Sequence, residues 1–216
     1  MTIQSEGSDP VTRLGFWSAL VTAVSAGTFS IAALLEMANA IPVVLGWQII
    51  YASSFVLAVA FVVMMISIHH TTPENRQVWS FTGVSFAILY ASNVSIMYIV
   101  QLFVYIPRDQ RGELSESEAI LLSDTFGSFL QAVDGLGYLF MGVAFLAAAP
   151  VFTTRGLERW VRWFFVANGL VTVPVFLTYF VDPAYILLAG LWTIAVPVAT
   201  GLVAINFRRQ HRAVTS

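Results

Sequence analysis

The sequence has no cysteine and no lysine. Without cysteine there is no disulfide framework, no thiol nucleophile and no cysteine-bound metal. Without lysine no retinal Schiff base can form, so the chemistry of seven-helix photoreceptors is excluded; every basic side chain is Arg or His. Charge of either sign is scarce. Only 10% of the 216 residues are Asp, Glu, Lys or Arg, against about 25% in an ordinary soluble domain. A chain so poor in charge cannot cover a water-facing surface. Its net charge is −2, and no basic patch is large enough to engage a phosphate backbone, so no nucleic-acid partner is expected.

What the chain has in abundance is apolar sequence. Hydrophobic residues make up 58% of it, with a mean hydropathy of +0.80. They fall into runs long enough to cross about 30 Å of hydrocarbon as helices. The stretches nearly free of charge are 14–38, 43–68, 78–106, 125–149, 163–181 and 184–207. They predict helices over about 14–38, 43–68, 78–106, 119–149, 160–181 and 184–207, since in lipid only a helix satisfies its own backbone within one segment. Pro42, Pro73, Pro107 and Pro183 mark connections between them. Trp17, Trp47, Trp79, Trp160 and Trp163 lie near predicted helix ends, as interfacial aromatics do, whereas Trp192 falls deep inside a span. Pro174 and Pro197 sit within the fifth and sixth helices and predict kinks there.

Arginine sets the orientation. One side receives Arg13, Arg76, Arg155, Arg159, Arg162, Arg208, Arg209 and Arg212; the other receives Arg108 and Arg111, beside Asp109, Glu113, Glu116 and Glu118. The expected architecture is therefore all-α: one polytopic membrane domain over 1–216, a six-transmembrane-helix bundle with both termini in the cytoplasm. The 107–118 loop becomes the main external feature, with a capping-box pattern at Ser115 and Glu118 to start the fourth helix. Ala38-Asn39-Ala40 resembles a signal-peptidase site. The apolar run before it is about 22 residues, longer than a signal core, and Glu36 interrupts its end, so a retained span is expected. The expected location is the cell membrane of a prokaryote, with the lipid bilayer as the obligatory partner.

Acidic and amide side chains within spans are costly and normally face protein or water. Here they are Glu36, Asn93, Gln101, Gln131, Asp134 and Asn168. Several belong to stripes spaced three and four apart: Ser18, Thr22, Ser25, Phe29, Ala32 and Glu36 on the first helix; Tyr90, Asn93, Met97 and Gln101 on the third; Ser123, Gly127, Gln131, Asp134, Tyr138 and Gly142 on the fourth; Asn168, Thr172, Val175 and Tyr179 on the fifth. The stripes should turn inward and meet. With the fourth helix entering near residue 124, Asp134 is expected about 15 Å below the surface. No Arg or His lies deep in any span, so this carboxyl is expected either to hold its proton or to face water, a bound cation or a cationic ligand.

Other motifs yield little. His69 and His70 are adjacent, hence about 100° apart on a helix, and do not make a metal pair. Asp134-Gly135-Leu136-Gly137 faintly resembles a reversed aspartyl-protease signature, but Asp182 is expected in a tight external turn before Pro183, about 15 Å or more from Asp134 in depth and too far to complete a dyad. Asn93-Val94-Ser95 is a glycosylation sequon placed mid-membrane, out of reach of a transferase. Arg155–Arg162 suggests a short interfacial helix with a Glu158/Arg162 pair. No cofactor is expected. The leading functional expectation is binding or transport of a small molecule or cation in a pocket formed by Asp134, Asn93, Gln101, Gln131, Tyr138 and Glu36. The alternatives are a sensor or assembly subunit whose partner is another membrane protein or a second copy of the chain, and an intramembrane lipid-modifying enzyme resting on Asp134 and Tyr138.

Overall fold

A computed structural model of the protein describes residues 8–178 and 190–215. Among the described residues there is no strand. The helices are α1 Ser8–Met37, α2 Val43–His70, α3 Gln77–Val100, α4 Ile106–Gln110, α5 Glu116–Leu122, α6 Phe129–Ala148, α7 Gly156–Thr178 and α8 Trp192–Thr215. A π-helical turn, Gln101–Tyr105, joins α3 to α4 without a break. Five described segments are long and apolar enough to cross a membrane: Pro10–Met37, Val43–His70, Glu74–Gln110, Phe129–Val151 and Gly156–Leu177. The start of the expected sixth span, residues 184–189, lies outside the described residues. The described part, α8, has its C-terminal third occupied by the arginine-rich tail.

The long helices form a closed ring. α1 packs on α2, α2 on α3, α3 on α6, α6 on α7, α7 on α8, and α8 returns to α1. Short loops force neighbours to run antiparallel, so the ends of α2, α6 and α8 gather with the start of α1. This basic end is tied together where Arg76 Nη1 donates to the Val151 carbonyl at 3.0 Å. An aromatic core fills the middle: Phe61 meets Tyr90 at 5.6 Å and Phe145 at 5.1 Å between ring centroids, and Phe145 meets Phe165 at 4.8 Å. Gly137 lies against Val94, where a Cβ would clash, so α3 and α6 approach closely.

Two structural differences from the sequence reading matter. The 119–149 segment is not one helix. Ser115 does make the capping box, its hydroxyl accepting from Glu118 N at 3.3 Å while Glu118 Oε2 accepts from Ser115 N at 3.0 Å, but the helix it starts ends at Leu122. Between Leu122 and Phe129 the polar side chains capture the backbone. Ser128 Oγ donates to the Ser123 carbonyl (2.6 Å) and accepts from Gln131 N (3.0 Å), becoming a second N-cap, while Gly127 takes a φ of 85°. The Arg155–Arg162 segment, conversely, is no separate interfacial helix. It is the first part of α7, and Glu158 Oε2 accepts from Thr153 N at 2.9 Å.

Pro174 and Pro197 lie inside α7 and α8. Proline at 197 has no N–H for the carbonyl four residues earlier. Ser30 of α1 supplies the missing donor, its hydroxyl reaching the Thr193 carbonyl at 2.8 Å. Asn168 of α7 makes a similar bridge, donating to the Ala195 carbonyl at 3.0 Å. These two polar residues therefore close the ring at α8.

Candidate functional site

At the end opposite the basic loops, the helices enclose a cavity of about 260 Å³. Helical spacing aims each set of side chains into it: Phe29 and Glu36 from α1, Trp47, Tyr51 and Ser54 from α2, Asp134 and Tyr138 from α6. Tyr98, Gln101 and Tyr105 follow one face through the π turn, a feature that recurs at functional sites. The linker between α5 and α6 contributes Ser123, Asp124 and Thr125.

The cavity is graded from inside to outside. Its floor is buried: Gln101 is 1% exposed, Tyr98 2% and Asp134 4%. Its rim is open, with Glu36, Trp47, Tyr105 and Asp124 half-buried and Thr125 exposed. Because α6 starts at Phe129, Asp134 is five residues into its helix, about 7.5 Å along the axis. It is thus shallower than a helix entering at residue 124 would place it. Tyr51, Tyr90, Tyr98 and Tyr138 all stand within electrostatic reach of its carboxyl.

Three contacts hold the α5–α6 linker over the rim. Gln101 Nε2 donates to the Leu122 carbonyl at 2.6 Å. The Tyr51 hydroxyl donates to Asp124 Oδ2 at 3.1 Å. Arg108 Nη1 pairs with Glu118 Oε1 at 2.9 Å. The bonds from the Ser115 N–H and hydroxyl, with the Arg108 guanidinium, hold the Glu118 carboxyl down to about 2. Asp124 shifts the other way: burial raises its carboxyl above the ordinary range, and the Tyr51 hydrogen bond offsets only part of that.

Four of the six residues singled out by sequence line the cavity: Asp134, Tyr138, Gln101 and Glu36. Asn93 and Gln131 are not in its lining. Asn93 Nδ2 donates to the Leu89 carbonyl of its own helix at 2.8 Å. Gln131 Oε1 accepts from Gly127 N at 2.9 Å, supporting the turn that starts α6. Sequence reasoning missed Asp124, which stands one residue outside the predicted uncharged stretch. It also missed the Trp47–Tyr51–Ser54 series, whose spacing of four and three was legible on α2.

A second, smaller cavity of about 190 Å³ lies at the basic end, with Thr72, Arg76, Glu158 and Asn206 in its lining. Along α2 and α6 the aromatic core around Phe61 and Phe145 separates the two. Among the described residues no group of three or more His, Asp or Glu side chains is placed to hold a metal ion. Comparison of the chain with protein-family models, curated proteins and solved structures finds no match.

Proposed function

We propose that the protein is a six-span membrane protein, with both termini in the cytoplasm, that binds or transports a small molecule or cation in the pocket around Asp134. The observation that carries the reading is the cavity itself. Asp134 lies on the floor of a space open at one end, with Asp124, Glu36 and Gln101 around it. Polar groups that served only to pack helices would be enclosed by them, as Asn168 is. Here they surround a space large enough for a ligand, so the cavity favours ligand binding over a packing role for a membrane partner.

The eight-to-two division of arginines supports an outward-facing rim. No Arg or His is among the lining residues described, so any ionised carboxyl gives the cavity a negative potential that favours a cation.

The test is Asp134→Asn in the purified protein, which keeps the side chain's shape but removes the charge. A thermal-shift panel of small solutes and cations is run on both forms. A ligand at a hundred times its Kd stabilises the protein by about 2.7 kcal/mol. We expect solutes that stabilise the parent to leave Asp134→Asn unshifted while its ligand-free melting stays cooperative. Equal shifts in both proteins overturn the assignment.

A further inference from the structure

We infer that the pocket takes a small organic ammonium ion, its positive head set against aromatic faces and neutralised by the Asp134 and Asp124 carboxyls. The inference rests on the reading of this cavity as a binding site and names the ligand class. Six of the fourteen lining residues described are aromatic, whereas aromatics make up 14% of the chain. They are Phe29, Trp47, Tyr51, Tyr98, Tyr105 and Tyr138. A ring face attracts a cation through its quadrupole, most strongly for Trp and Tyr, and does so best where water is excluded.

The aromatic walls are braced before any ligand arrives. Tyr51 and Tyr98 lie 6.1 Å apart between centroids. Trp192 packs edge-on against both Phe29, at 5.4 Å, and Tyr138, at 5.1 Å, and so fixes those two rings. Tyr51 also holds Asp124 through its hydroxyl, joining wall and carboxyl in one unit. A preformed box of this kind spares the ordering cost of binding.

The alternatives fit less well. A hard metal cation asks for about six or more oxygens converging at short distance; among the described residues no three acidic or histidine side chains converge to hold one. An anion meets three carboxyl side chains, Glu36, Asp124 and Asp134, and no Arg or His among the described lining residues. A neutral apolar solute has no use for Asp134 on the floor. An alkylated ammonium uses both features, because its carbon shell suits the rings and its charge suits the carboxyls. Size agrees: a cavity of about 150 Å³ accommodates benzene, so this one has room for a head of tetramethylammonium size. The same chemistry is presented by a free amine and by a choline lipid headgroup.

The experiment uses the full chain in nanodiscs of phosphatidylglycerol and measures equilibrium binding of radiolabelled tetramethylammonium. We expect saturable binding that choline displaces at least tenfold better than 3,3-dimethylbutanol, its neutral isostere, and that equal sodium or potassium leaves intact. Trp47→Leu should weaken it by roughly tenfold, the effect of losing one partly desolvated cation–π face, and Trp47→Phe should recover part of that. Tyr105→Leu, also at the rim, provides a second variant should Trp47→Leu fail to fold. Competition on moving to phosphatidylcholine nanodiscs assigns the ammonium to a lipid headgroup; no competition assigns it to a free solute. Absence of saturable binding, or equal displacement by the neutral isostere, overturns the ligand class. If sodium binds in an Asp134-dependent way and tetramethylammonium does not, the ligand class falls and the pocket stands. If Asp134→Asn binds tetramethylammonium as well as the parent does, the pocket reading falls.

Discussion

Replacing Gln101 with Leu should loosen the linker over the pocket rim while leaving the bundle folded. Gln101 is almost completely buried, and its Nε2 reaches the Leu122 carbonyl at 2.6 Å, the last residue of α5. Leucine keeps most of the volume and removes the donor. The Leu122 carbonyl then loses its partner in a half-buried position. Losing one side of such a bond costs about 1–3 kcal/mol. Because α5 and its linker keep two other ties, Arg108–Glu118 and Tyr51–Asp124, this cost should appear as local opening rather than global unfolding. At 1.4 kcal/mol per factor of ten, amide exchange should rise roughly five- to hundredfold in this segment. The amides of Ala119 and Ser123, which bond to the Ser115 and Ala119 carbonyls, are the reporters for hydrogen–deuterium exchange by mass spectrometry. Amides around Phe61 and Phe145 should not change. Unaltered exchange over 116–128 in a folded Gln101→Leu protein would refute the claim that this side chain latches the linker.

Other consequences are open to direct measurement. Burial raises the Asp124 carboxyl, so the native state keeps this proton where the unfolded chain has released it. Stability should therefore fall as pH rises from the ordinary carboxylate range to the raised value and level off above it; Asp124→Asn should flatten that slope in melting curves recorded between pH 4 and 8. At Gly142 an added Cβ would lie 2.5 Å from Thr172 Cβ and Oγ1. Gly142→Val should thus destabilise the α6–α7 contact by about 1–3 kcal/mol, read as a lowered unfolding midpoint. Arg108→Ala removes an ion pair whose partners are 31% and 41% exposed, and should change the midpoint little, since solvent screens such pairs.

The all-helical fold and its long apolar helices were legible because they rest on run length and charge scarcity, which a sequence displays directly. Asp134, Tyr138, Gln101 and Glu36 were legible as a group because each is polar or amphipathic at helical spacing in an otherwise apolar stretch. What escaped notice was governed by competition between local bonds. Ser123 and Gly127 read as part of a helical stripe; in the fold the Ser128 hydroxyl and the positive φ of Gly127 break it, and Gln131 becomes part of a cap instead of a pocket. Asp124 escaped for the same reason: within a helix expected over 119–149 it stood at the outer edge of the uncharged stretch, whereas in the fold the helix breaks and the linker carries it over the rim. Trp192 stood out in sequence as an interior tryptophan. Its reason is tertiary: it braces Phe29 and Tyr138, which lie 109 positions apart in sequence by subtraction of their numbers.

The native chain contains no cysteine, so a single introduced thiol can be followed without background. The most direct test places one at Asp134→Cys and another at Leu136→Cys, whose parent side chain faces outward at 38% exposure. Intact cells are treated with a membrane-impermeant trimethylammonium thiosulfonate. The pocket account predicts rapid modification at position 134 from outside and little at 136, where no water reaches the sulfur. Modification at 136 but not at 134, or at neither, would contradict a water-accessible site at Asp134.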